Sequence, residues 1–176
     1  MRATLKTLSM LFSYPDSDLA ELIRGREELV ETLSREDPDA ARLIGELLDR
    51  LANLEADVTY VSVFEAPAKC SLYAHEYIMR NKQEELGRFL LELKGIYRIH
   101  GVDVPLKKEI PDFLPVMLEF LALLYDVRRE EAARFARRYL KKWIPELRKC
   151  LEENKSPYSL AAKALERVVD IIASTR

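Results

Sequence analysis

Apolar positions recur along this chain at intervals of three and four, the pattern of helices that bury one face. Leu5, Leu8, Leu11 and Phe12 form the first stripe, over residues 3–13, and Tyr14-Pro15 ends it. Asp16 or Ser17 then caps a second helix to about Leu33, weakened at Gly25. Asp37-Pro38 is a cap followed by proline at the first helical position, opening a third helix to about Leu54 on Leu43, Ile44, Leu47, Leu48 and Leu51. Residues 57–66 are rich in valine and would suit a strand. No second strand exists to pair with them, so a helix stopped by Pro67 is expected.

A helix is also expected from Cys70 to about Arg80, with Leu72, Tyr73, His75, Tyr77 and Ile78. Asn81 and Glu84 have capping-box spacing, and the helix they start runs to His100, with Gly101 just past its end. Residues 101–111 form a connection of about eleven residues, longer than most in compact domains. It feeds the most apolar helix of the chain. Asp112 is placed to cap that helix, and Pro115 falls in its first turn, where a missing N–H costs nothing. Leu114, Met117, Leu118, Leu121 and Leu124 come next at helical spacing, and Glu119 interrupts them where a purely internal helix would carry leucine. A charged helix over about 129–142, a break at Trp143-Ile144-Pro145 and a last helix after Ser156-Pro157 complete the chain. About nine or ten helices and no firm strand define a single all-α domain. Its expected parts are an N-terminal helical body of residues 1–100, a hinge at 101–111 and a C-terminal helical lobe of 112–176.

Composition fits this picture. The 176 residues are 48% hydrophobic and 33% charged, with five glycines, which is the profile of a helical globular domain. A net charge of −2 argues against nucleic acid as the main partner. The basic residues between Arg128 and Lys142 read as a solvated helix face. No apolar run is long enough to span a bilayer, and the apolar stretch beginning at Leu8 is too short for a secretory signal. The two cysteines, Cys70 and Cys150, fit no metal or redox motif and are expected as free thiols in a reducing cytoplasm. One glutamine and three asparagines among many charged residues form a bias that recurs in proteins from hot environments.

The chemistry-bearing motifs are missing. The sequence has no glycine-rich phosphate loop, nucleophile elbow or H-E-x-x-H helix. His75 and His100 lack metal-ligand spacing with Cys70, so no metal is expected. Glu109, Asp112 and Glu119 lie near one helix start and could serve as acid–base groups. A cap, a helix-dipole partner and a solvent-facing acid account for them equally well. The residues alone therefore favour a binding module over an enzyme, with no catalytic residue and no cofactor.

Two stretches resemble the NarJ-type assembly chaperones of the nitrate reductase delta-subunit family. Tyr60-Val61-Ser62-Val63-Phe64-Glu65, with Ser71-Leu72-Tyr73 after it, is similar to that family's Tyr-Val-x-x-Phe-Asp and Ser-Leu-Tyr segments. Glu109-x-Pro111-Asp112-x-Leu114-Pro115-x-x-Leu118-Glu119-Phe120-Leu121 resembles its Glu-Leu-Pro-Asp-His-Leu-Pro-x-x-Leu-Glu-Phe/Tyr-Leu motif. Tyr97-x-x-His100-Gly101 precedes that motif much as a tyrosine and a glycine do in the family. The likeness covers residues 57–125 and, more loosely, the whole chain. Phe113 departs from it, standing where the family usually has histidine.

The resemblance implies an all-helical cytoplasmic chaperone, related to the TorD and DmsD types. Such a protein binds the N-terminal segment of a molybdopterin oxidoreductase catalytic subunit and holds it back from membrane attachment or export until the molybdenum cofactor is inserted. It is not a catalyst. The client segment is typically amphipathic and basic. Its apolar face would lie on Tyr60, Phe64, Tyr73, Tyr77, Phe113 and Leu114, near Pro111, while Glu109, Asp112 and Glu119 meet its positive charges. Tyr60, Phe64 and Leu114 also suit a core, and Asp112 a cap. Glu119 is the acid least explained by structure. A monomer, or a dimer made by swapping helical lobes, is expected. The alternatives are an interaction adaptor that shares only the fold, and an enzyme using the carboxylates between 109 and 119.

Overall fold

The computed structural model of the chain describes all residues except 66, 81, 103–109 and 176. Among the described residues are eleven α-helices: α1 Arg2–Leu11, α2 Ser17–Arg24, α3 Arg26–Ser34, α4 Pro38–Leu51, α5 Ala56–Phe64, α6 His75–Ile78, α7 Gln83–Ile99, α8 Leu114–Val127, α9 Arg129–Phe135, α10 Ile144–Glu153 and α11 Ser159–Ser174. A π-helical turn, Ala136–Leu140, continues directly from α9. No strand forms among the described residues; one isolated antiparallel bridge joins Tyr73 and Phe113.

The core tracks the apolar stripes. On α8, Leu114, Met117, Leu118, Phe120, Leu121 and Leu124 are buried. On α1, Leu5, Leu8 and Leu11 are buried against it. Each such side chain contributes about 1.5–3 kcal/mol when fully withdrawn from water. On the far side, α4 packs on both α3 and α11. Helices from either side of the 101–111 connection thus lie on one another.

Local chemistry sets the helix ends. Gly25 divides the expected second helix in two, ending α2 and standing at the cap position of α3. Asp37 caps α4, accepting from the Ala40 N–H at 2.8 Å, and both its oxygens accept from Arg167 Nε of α11 at 2.9 Å. Gly101 ends α7 in the left-handed region, at φ 76°. The N–H groups of Gly101 and Val102 donate to the carbonyls of Arg98 and Tyr97, closing the turn. Gly45 of α4 sits where a Cβ would lie 2.8 Å from Val30 Cγ2 of α3, so its missing side chain permits that close packing.

The structure corrects three sequence expectations. Residues 70–74 are not helical, and only α6 forms in that region. The Leu114 N–H donates to the Leu72 carbonyl (2.8 Å) and the Ala74 N–H to the Asp112 carbonyl (3.1 Å). These backbone groups are satisfied across the chain rather than along a helix. Second, Asp112 does not cap α8. Phe113 occupies that position without a side-chain cap, and the Asp112 carboxylate turns to α6 instead. Third, Cys70 and Cys150 are not free thiols but form a disulfide, their Cα atoms 5.9 Å apart. The fold lays the segment after α5 along α10, which brings together two cysteines 80 positions apart. The expected Asn81 cap lies outside the described residues, as does most of the expected hinge.

Candidate functional site

The two stretches that carry the sequence resemblance meet in space. The backbone pairing of 72–74 with 112–114 sets Tyr73 beside Phe113, the rings tilted by 33° with centroids 5.1 Å apart. Beneath them Asp112 is fully buried. One of its oxygens accepts from the His75 N–H at 2.8 Å and lies 2.7 Å from His75 Nδ1. Asp112 thus caps α6 from a distant part of the chain and locks the second motif onto the first. Among the described residues, the other oxygen of Asp112 has no hydrogen-bond partner. The Tyr97 hydroxyl donates to the Pro111 carbonyl at 2.7 Å, fixing the approach to α8. Burial, and secondarily the negative charge of Asp112, hold the Tyr97 phenol well above its ordinary range.

Three hollows join into one trough across this junction. The middle one, about 460 Å³, is lined by Tyr14, Tyr60, Phe64, Tyr73, Phe113 and Val116, with Asp16, Glu65 and Glu119 also bordering it. These three acids are exposed, and among the described residues no lysine or arginine lines this hollow. Val116 and Glu119 are shared with a second hollow of about 680 Å³ between α1 and α8, which includes Met10, Phe120 and Leu123. Phe64 and Tyr73 are shared with a third, about 850 Å³, walled by Tyr77, Arg80, Glu146 and the disulfide.

The expected site residues divide between the trough and its foundation. Phe64, Tyr73 and Phe113 are half-buried on the middle wall, and Glu119 is exposed where two hollows meet. Tyr60 lines the same hollow but is nearly buried, its hydroxyl donating to the Phe12 carbonyl at 3.1 Å. Tyr77 lies in the third hollow, stacked on Trp143 at 5.3 Å and donating to the Ser71 carbonyl at 2.9 Å. Burial pushes its phenol up to about 12. Leu114, Pro111 and Asp112 are buried under the trough and do not line it. Leu114 faces the core because α8 turns its most apolar side inward, and Asp112 is committed to α6. Glu109 lies outside the described residues.

Sequence reasoning missed Tyr14, Asp16 and Glu65. Glu65 was legible as the acid that ends the first motif, whereas Asp16 reads as a helix cap, a role it also fills. Of the described carboxylates in this stretch, Asp112 is sealed below and Glu119 stands at the surface with a 3.5 Å contact from Ser9 Oγ, so these two do not meet. Among the described residues no cluster of histidine, cysteine and acidic side chains could hold a metal ion. The middle hollow combines aromatic surface with negative charge, whereas the flanking hollows also carry bases, Arg2 and Lys6 in one and Lys69, Arg80 and Lys149 in the other.

The described residues thus form an all-helical fold with an aromatic hollow bordered by acids. The chain belongs to the nitrate reductase delta subunit family, whose pattern matches residues 30–161. It is 33% identical over 164 residues to NarJ of Bacillus subtilis strain 168, named as a probable nitrate reductase molybdenum cofactor assembly chaperone; the match covers 89% of this chain and 82% of that one. It is 29% identical over 126 residues to Escherichia coli K12 NarJ, a nitrate reductase molybdenum cofactor assembly chaperone, covering 68% of this chain and 51% of the relative. Against the nitrate reductase-like protein NarX of Mycobacterium tuberculosis H37Rv it is 31% identical over 93% of its length, but spans only 24% of that protein. The crystal structure of an Archaeoglobus fulgidus protein described as a redox enzyme maturation protein shares the fold, with a TM-score of 0.64, 26% identity, and coverage of 97% of this chain and 94% of that one.

Proposed function

We propose that this protein is an assembly chaperone for a molybdopterin oxidoreductase of the nitrate reductase kind. It binds the N-terminal segment of the catalytic subunit and assists insertion of the molybdenum cofactor before the subunit attaches to a membrane or is exported. Family membership supports the reading, and so do the names of the relatives. The observation that carries it is the middle hollow, where aromatic walls are bordered by three acids and no described base. An amphipathic helix that presents an apolar face and flanking arginines or lysines complements that surface.

The protein acts as a holder rather than a catalyst and needs no cofactor of its own. It works in the cytoplasm, where the client is made; no described helix is long and apolar enough to cross a membrane. Calorimetric titration with synthetic N-terminal peptides of such catalytic subunits from the same source tests the proposal. At least one peptide is expected to bind with a Kd below about 100 μM, roughly 5.5 kcal/mol. Absence of binding by every peptide at that level would remove the proposal.

A further inference from the structure

We infer that Cys70–Cys150 is a reducible bond that sets the affinity of the trough: the oxidised chain holds the client segment and the reduced chain releases it. The inference rests on the chaperone reading above and adds a regulation to that site. The bond stands beside the middle hollow. The N–H groups of Lys69 and Cys70 donate to the Val63 carbonyl, at 2.9 and 3.1 Å, at the end of α5 that carries Phe64 and Glu65 to one wall. Three residues after Cys70, Tyr73 stands on the other wall. Of residues 67–71, which join the two walls without a helix, only Cys70 is buried. The disulfide therefore fastens an exposed strap to α10 at its one buried point.

Little else holds the strap there. Helix α10 packs chiefly on α11. Beside the bond stands an ion pair of two exposed side chains, Arg80 and Glu146 at 3.5 Å, and such a pair contributes little. The remaining contacts keep the fold when the bond opens. The backbone pairing of 72–74 with 112–114 holds Tyr73, and the stack of Tyr77 on Trp143 holds α6. Reduction thus frees the strap and the wall at the end of α5 relative to the wall at Tyr73, while the helices stay in place.

The bond is also open to exchange. Both cysteines line the third hollow, about 850 Å³, which shares Phe64 and Tyr73 with the middle one. Cys150 is half-buried there, whereas Cys70 is 2% exposed. A dithiol is the co-reactant. One of its thiolates attacks the Cys150 sulfur, and the Cys70 sulfur leaves as thiolate. Asn154 Nδ2 lies 3.8 Å from each sulfur, a donor for the thiolate that departs. The second thiolate of the dithiol then displaces Cys150 and closes a cyclic disulfide. The protein gains two electrons and two protons and holds two thiols; the dithiol loses as many. Disulfides in a reducing cytoplasm are characteristically transient ones that respond to such reagents.

The test uses the full chain and a cysteine-free N-terminal peptide of a catalytic subunit that binds in the titration above. Calorimetry at room temperature compares the oxidised chain with the chain reduced anaerobically by dithiothreitol. The reduced chain is expected to bind at least ten-fold more weakly, with its helical circular dichroism unchanged. Cys70→Ser/Cys150→Ser is expected to match the reduced chain and to ignore dithiothreitol. Linkage is reciprocal, so saturating peptide should raise the ratio of dithiothreitol to its cyclic disulfide at half-reduction by the same factor. That readout needs wild type alone. Equal affinity of the two forms, or an unmoved ratio, overturns the inference and leaves the chaperone reading intact. So does a bond that dithiothreitol does not open in the folded chain. Loss of the helical signal on reduction overturns it too, because the bond is then a staple of the whole fold. Failure of the oxidised chain to bind any peptide removes both this inference and the reading beneath it.

Discussion

The buried carboxylate of Asp112 caps the start of α6 by accepting from the backbone N–H of His75 and lying 2.7 Å from its Nδ1. Thirty-seven positions separate the two residues, and each belongs to a different segment at the trough. The pair therefore fixes how Tyr73 faces Phe113. Replacing Asp112 by Ala leaves the N–H and the imidazole without their acceptor at a buried site. That costs about 2–3 kcal/mol, and the thermal midpoint is expected to fall by roughly 4–12 °C. An unchanged midpoint in a thermal melt would show that the contact contributes nothing.

Tyr73 and Phe113 are expected to be energetically coupled. Their rings lie 5.1 Å apart on adjacent paired segments. A double-mutant cycle with Tyr73→Ala and Phe113→Ala, measured by chemical denaturation, should give a coupling of about 0.5–1.5 kcal/mol. A coupling near zero would mean that the ring contact contributes no stability. The position also matters for the resemblance, because Phe113 replaces the histidine usual there. In this chain the imidazole at Asp112 is that of His75.

Acid should expose the role of Asp37. Burial opposes its ionisation, but the Arg167 guanidinium and the Ala40 N–H outweigh burial and hold its carboxyl below the ordinary range. A lowered folded pKa gives stability that is fully present above the unfolded value, about 4, and is lost as pH falls through the folded value. Asp37→Asn keeps a competent cap and loses the ion pair. It is expected to be less stable than wild type by about 1–2 kcal/mol above the unfolded value, with the gap closing as pH falls through the lower folded value. The measurement is denaturant unfolding across that range. A gap that stays constant with pH would contradict the ion-pair account.

Reducing the disulfide should destabilise the chain strongly. Cys70–Cys150 closes a loop of 80 residues. The chain-entropy estimate for such a loop is about 4.5 kcal/mol, an upper value. A phosphine reductant, or Cys70→Ser with Cys150→Ser, is expected to lower the thermal midpoint by roughly 8–15 °C. Equal midpoints with and without reductant would show that the bridge is not a staple.

What the sequence disclosed and what it withheld divide along contact distance. The helices were legible from Leu5 to Ile172 because their signal is local: apolar spacing, Asp37-Pro38, Gly101. The weak point at Gly25 was legible too, and became the break between α2 and α3. The non-helical stretch 70–74 was not, because its backbone partners lie at 112–114. The disulfide was hidden for the same reason. Asp112 was recognised as a residue that satisfies helix N–H groups, but the helix it serves lies elsewhere in the chain. At the site, aromatic residues could be named from sequence, yet burial separates Leu114 in the core from Phe113 on the trough wall, and no spacing rule distinguishes those neighbours.

The central claim is that the trough around Tyr73 and Phe113 holds a client's N-terminal segment. Amide hydrogen exchange of the full chain, with and without a binding peptide, tests it most directly. Protection is expected on α5, on residues 71–74 and on the first turns of α8 around Glu119, with α11 beyond the trough unchanged. A bound peptide that protects only α2, α3 or the outer face of α11 would contradict it.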